Sequence, residues 1–231
     1  MSTATITAQP KGRSARRPQS GAPLWAPVLA FTVLAVIGVA VNRSTPHPDA
    51  SGTAVLAYNA AHATTVKFGS WLLFASAVPL TIATAVIYRR LRALGITAPG
   101  SAIALAGGVL AAGALTLSGM FAWSGGRLPA DASPALARAL ADISFLAGGP
   151  AYAAMFALLI AGIAVPALLV RLLPRPLAVA GIILAAAGAV STVTLLSLDV
   201  AFLLPVVRFG GTAWLIAAAI LLPRNRNTRS A

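Results

Sequence analysis

Long apolar runs separated by short polar punctuation dominate the chain. Five of them reach the ~20 residues that a ~30 Å hydrocarbon core demands of a spanning helix: Leu24 to Asn42, Val66 to Tyr88, Ser101 to Trp123, Gly148 to Val170 and Pro176 to Leu198. Ala93 to Gly126 and Ile143 to Val170 contain no charged residue at all, so neither could present a polar face to water. A sixth run, Phe209 to Pro223, would rise only about 22 Å as a helix, which predicts a span that starts earlier, over Phe202 to Leu222. Arg208 then falls within the outer leaflet, where it must snorkel or find an acidic partner. The pattern predicts an all-α fold, a polytopic transmembrane bundle of about six helices.

The polar segments divide the rest. Met1 to Pro23 is rich in Ser, Thr, Pro and Gly, carries Lys11, Arg13, Arg16 and Arg17, and lacks the apolar residues needed to fold alone. Residues 1–23 read as a disordered basic tail, 24–223 as the spanning domain and 224–231 as a second short basic tail. Val39-Ala40-Val41-Asn42 offers no small-x-small cleavage site, so the first run reads as an uncleaved helix rather than a signal peptide. Arg16-Arg17-Pro18 lacks the context of a twin-arginine signal. Asp131-Ala132-Ser133-Pro134, followed by Leu136, Leu140 and Ile143, predicts a short capped helix running over the surface into the fourth span. Ser51 to His62 predicts a similar one.

Composition agrees. The 231 residues are 58% hydrophobic and 9% charged, with a mean hydropathy of +0.87, outside the range of ordinary soluble domains. The net charge of +13 is not a nucleic-acid footprint, because the basic residues punctuate the apolar runs instead of sharing one soluble face. In the six-span arrangement twelve of the 17 basic residues fall on the side of the tails and five, Arg43, Lys67, Arg127, Arg138 and Arg208, on the other. That bias predicts cytoplasmic N- and C-termini. Trp25 and Tyr88 then mark inner helix ends, and Trp71 and Trp123 outer ones. Arginine outnumbers lysine 15 to 2 and glutamate is absent, a composition that points to a GC-rich bacterial genome and hence to a bacterial plasma membrane.

Candidate chemistry lies on the outer side. All four acids, Asp49, Asp131, Asp142 and Asp199, and both histidines, His47 and His62, fall there, and with Lys67, Arg127, Arg138 and Arg208 they are candidates for one polar mouth. Asp199, Arg208, Asp142, Lys67 and His62 form the candidate polar cluster, and Asp199 with Arg208 is the sharpest expected ion pair, bracketing a short apolar turn. A structural pair with the other groups solvated in loops is the plainer reading. Rows of small residues four apart, Ala104, Gly108 and Ala112, then Gly181, Ala185 and Ala189, predict close helix packing. Pro79 and Pro166 are expected to interrupt the second and fourth spans. Lys67-Phe68-Gly69-Ser70 and Arg208-Phe209-Gly210-Gly211 are alike enough to raise a hairpin repeat, although glycine and aromatics favour helix ends in any case.

Catalytic templates are missing. There is no His-Glu-x-x-His, no Gly-x-Ser-x-Gly and no phosphate-binding glycine loop. Without cysteine, thiolate metal sites and cysteine nucleophiles are excluded. No cofactor, haem or metal is expected, because neither histidine lies deep in a span. The absence of a carboxylate near the midplane argues against ion-coupled transport.

The tail leading into Leu24-Trp25-Ala26-Pro27, the stretch Phe74 to Leu80, the turn Tyr88-Arg89-Arg90-Leu91-Arg92 and Arg208-Phe209-Gly210-Gly211 resemble the uncharacterised six-helix membrane proteins of high-GC bacteria grouped as domain of unknown function 4386. The resemblance covers roughly Leu24 to Pro223. It implies a six-helix bundle and carries no catalytic or binding residue. The functional expectation is a non-enzymatic integral membrane protein that acts through another membrane protein or a second copy. A small-molecule transporter or permease, entered through the outer polar cluster, is the alternative.

Overall fold

The computed structural model describes residues 23–223; the basic tails expected at either end lie outside these residues, save Pro23. All regular structure among them is helical. Nine α-helices follow in order: α1 Trp25–Val41, α2 Gly52–Ala61, α3 Ala63–Ala93, α4 Gly100–Gly125, α5 Pro134–Leu146, α6 Tyr152–Leu169, α7 Arg175–Val190, α8 Leu203–Pro205 and α9 Gly211–Leu221. Several join into longer rods. A π-helical turn, Ala147–Ala151, fuses α5 to α6, and a second, Val206–Gly210, fuses α8 to α9. Counted this way five helices are long and apolar enough to cross a membrane, and α1 is a shorter apolar helix of 17 residues. The chain is a multi-pass membrane protein.

Both ends of the described chain lie together. Leu24, Trp25, Leu222 and Pro223 border one crevice with Arg90, and the Arg90 guanidinium donates to the Leu222 carbonyl at 3.1 Å. This is the tail end of the bundle. At the other, the cap end, α2 and α5 pack on each other through Val55, Leu56 and Ala137. The Ser51 hydroxyl caps α2 by accepting from the Ala54 amide. Pro134 opens α5 at its first turn, where its missing N–H costs nothing. As expected, α5 runs into the fourth span, and the π turn joins it to α6 without a break.

The spans associate through absent side chains. A Cβ on Gly162 would meet the backbone of Ala104 and Gly100, one on Gly107 would meet the backbone of Leu159, and one on Gly119 the Ser70 carbonyl. In lipid, apolar burial between helices gains little, so these backbone approaches supply dispersion contact instead. Ala104, Gly108 and Ala112 are all buried, as the row in α4 predicts. In α7 the buried set is Ala178, Gly181 and Gly188, and Ala189 is exposed. A row advancing strictly by four drifts about 40° per step around a helix of 3.6 residues per turn; the broad buried face of α4 accommodates the drift and the narrower one of α7 does not.

Large apolar side chains cover the outside. Ile183 is 63% exposed, Ile220 68% and Val78 58%, which is stable only against hydrocarbon. Trp25 and Trp123 are exposed at helix ends, where the rings suit an interface, and Trp71 is exposed two turns into α3. Two helix ends near the tail end turn through a left-handed residue, Gly95 at φ 84° and Arg171 at φ 56°. The Ile96 amide then returns to the Leu91 carbonyl and the Leu172 amide to that of Ala167, satisfying carbonyls that a helix terminus leaves free.

Candidate functional site

The two π turns create the site. Gly148, Gly149 and Pro150 lie in the first; proline supplies no N–H and glycine tolerates the distortion, so the turn widens there. Pro205 immediately precedes the second, and Gly210-Gly211 follow Arg208 within and beyond it. Pro79 and Pro166, by contrast, sit inside α3 and α6, which run on through both. The expected interruptions therefore occur at other prolines, those flanked by glycine.

The wide turns face one another, and Arg208 bridges them by donating from Nη2 to the Gly148 carbonyl. Its guanidinium carbon lies 5.2 Å from the centroid of the Tyr152 ring, a cation–π arrangement. Tyr152 is fully buried and stacks on Phe156 at 5.2 Å between centroids. Beside Gly148, Ser118 on α4 and Ser144 on α5 exchange bonds: each hydroxyl donates to the other's backbone carbonyl, at 2.9 and 3.0 Å. A side chain on residue 148 would press on Ser118, so glycine permits this seam.

Above the seam a cavity of about 520 Å³ opens at the cap end. Its walls come from the end of α1 and the following loop, α2, α3, α4, α5, both π turns, α8 and the segment before it. Val55, Leu73, Leu115, Phe121, Phe145 and Leu204 supply apolar surface, and Arg43, Arg138, Arg208 and Asp142 the charge. Arg138 is bound at 2.9 Å to Asp142 one turn along α5 and also donates to the Ala50 carbonyl. His47, at the rim, lies 2.6 Å from Asp49. That hydrogen bond holds the exposed Asp49 carboxyl below its ordinary range.

Of the five residues of the candidate cluster, the cavity brings together Asp142 and Arg208. The other three lie elsewhere. Asp199 accepts from the Ser197 hydroxyl at 2.8 Å, His62 stacks on Tyr58 at 4.5 Å between centroids, and Lys67 is half-buried beside Gly126. The expected Asp199–Arg208 ion pair does not form. Leu198–Val200 forms a short 3₁₀ turn that leaves Asp199 exposed, whereas the π turn swings Arg208 inward to the Gly148 carbonyl. Among the described residues no carboxylate pairs with Arg208. The two similar segments also differ in surroundings, since Gly69 packs on Asn42 and its counterpart Gly210 on Leu184.

Arg138, expected in the outer polar mouth, lines the cavity, whereas sequence reasoning misses Asn59 and the Ser118–Ser144 seam as components of the site. Glycine-glycine pairs beside proline within apolar runs, at Gly148-Gly149-Pro150 and between Pro205 and Gly211, are the signal that locates the wide turns. A second crevice of about 550 Å³ separates α1 from α9 at the tail end, with apolar walls and Arg90 as the charged residue in its lining. Among the described residues no group of three His, Cys, Asp or Glu could hold a metal ion. No family model, curated protein or solved structure matches the chain.

Proposed function

We propose that this chain is a multi-pass protein of a bacterial plasma membrane, with both termini cytoplasmic, that receives a small ligand from the extracytoplasmic side in the cap-end cavity. Its role is binding, without catalysis of its own. One observation carries the reading: a guanidinium recessed among apolar walls, facing a roomy cavity, has a backbone carbonyl and an aromatic ring as partners but no carboxylate. Leaving a charge so placed is costly unless something supplies the counter-charge, and intramembrane ionisable residues commonly mark ligand sites. The basic residues concentrated on the side of the tails support the orientation. Five long apolar helices and the shorter apolar α1 support the six-span plan.

A permease would need a path below Arg208. There the buried, stacked Tyr152 and Phe156 and the apolar core around Leu80, Leu115 and Ile160 fill the bundle, which favours a blind pocket. The absence of native cysteine makes a direct test available. Single cysteines at Thr45, Ala141 and Arg92 are treated with a membrane-impermeant maleimide in intact cells. Thr45→Cys and Ala141→Cys should react and Arg92→Cys should not; the reverse pattern would refute the orientation and the outward-facing cavity together.

A further inference from the structure

Resting on the binding role proposed above, we infer that the ligand is a small single-chain amphiphile with one anionic head, a carboxylate or a phosphate monoester, held by Arg208. Three arginines and one aspartate line the cavity, and the aspartate is already neutralised by Arg138. Arg208 and Arg43 remain without an acidic partner among the described residues, so the cavity is positive and electrostatically complementary to an anion. Arg208 lies at its inner side, between the π turns. A guanidinium has five N–H donors in a planar fork, and the Gly148 carbonyl engages one of its nitrogens. The remainder of the fork matches a carboxylate or phosphate.

The walls set the rest of the molecule. Most of the lining is apolar, with Leu73, Leu115, Phe121, Phe145 and Leu204 among it. A small inorganic anion would satisfy Arg208 yet leave that surface wet. An apolar tail removes it from water, and tail and head together make the occupant amphiphilic. A cavity of about 520 Å³ is of the size that holds one small ligand, which favours a single medium-length chain over a two-chain phospholipid.

The test uses the full chain in nanodiscs of zwitterionic phosphatidylcholine, with melting temperature and a binding isotherm as readouts. The probes are dodecanoate, dodecyl phosphate, dodecanol, dodecyltrimethylammonium and inorganic phosphate. Dodecanoate or dodecyl phosphate should raise the melting temperature and bind at least tenfold more tightly than dodecanol or the ammonium, with inorganic phosphate giving no shift at equal concentration. Arg208→Gln should weaken the anionic probe at least tenfold, and Arg208→Lys, which keeps the charge but not the fork, by less. Asp142→Asn removes the one negative charge in the lining and should tighten the same probe about two- to fivefold, an arm that stands even if Arg208→Gln does not fold. Equal binding of dodecanol and dodecanoate, or an Asp142→Asn variant that binds the anion no better, would overturn the inference. So would a shift from inorganic phosphate equal to that from dodecyl phosphate, or stoichiometric phosphatidylglycerol that dodecanoate cannot displace. If no probe binds and Ala141→Cys is unreactive from outside, the binding role itself fails; if Ala141→Cys reacts and neutral probes bind equally, only the anionic assignment fails.

Discussion

The two ends of the bundle solve opposite problems with the same residue type. Toward the tail end, glycine closes space: Gly100, Gly107 and Gly162 bring α4 and α6 into backbone contact, and the helices stay regular. Toward the cap end, Gly148-Gly149 and Gly210-Gly211 accompany proline, the helices widen into π turns and a cavity opens between them. Proline is present at both ends, but α6 runs on as an α-helix past Pro166 while Gly162 packs on α4, whereas glycine pairs beside Pro150 and Pro205 accompany a widened π turn. The fold is held at one end and made adaptable at the other.

Substitutions can break this contrast in descending order. Gly162→Leu should be the most damaging, costing about 3 kcal/mol or more through overpacking, because any side chain there meets the α4 backbone. Gly113→Leu, with open space around residue 113, should stay within about 0.5 kcal/mol of the parent. Reversible unfolding in mixed micelles separates the two, and equal losses would deny the seam its role. Ser118→Ala and Ser144→Ala should each cost about 1 kcal/mol. Their double mutant should cost less than the two singles together if the bonds act as one unit, which a double-mutant cycle in the same assay reads. Thr84, whose buried hydroxyl lacks a partner in its close approach to Gly108, should tolerate Thr84→Val with a gain of up to about 1 kcal/mol; a loss would show that the hydroxyl is satisfied in the membrane. The smallest effect belongs to the cap loop. His47→Ala should let the Asp49 carboxyl rise toward its ordinary value. A depressed carboxylate favours the folded state above its ordinary pKa and loses that contribution as pH falls through the folded one. Both side chains are exposed, so a titration by NMR, rather than a melting curve, should register the change.

The helical plan was legible because hydrocarbon imposes it: twenty apolar residues leave the chain few alternatives. Four of the five full-length runs and the sixth form span-length helices, the first run forms the shorter α1, and Ser51 and Pro134 open the two cap helices near the anticipated positions. The site was less legible. Charge bookkeeping along the sequence joined Asp199 to Arg208 because they flank one turn, but side-chain direction depends on local helical geometry. A 3₁₀ turn at one residue and a π turn at the other send them apart. The Ser118–Ser144 seam lies beside the α5–α6 fusion, a π turn that the periodicity of apolar residues does not encode. Arg208 was singled out for the right physical reason, a charge deep in an apolar segment, with the wrong partner attached.

The central claim is that the cap-end cavity is water-accessible and positive because of Arg208. The rate of modification of a single cysteine at Ala141, which lines it, by anionic and by cationic thiosulfonate reagents applied from outside tests this most directly. The anionic reagent should react faster, and Arg208→Gln should abolish most of that preference. Equal rates for the two reagents, or a preference untouched by Arg208→Gln, would contradict it.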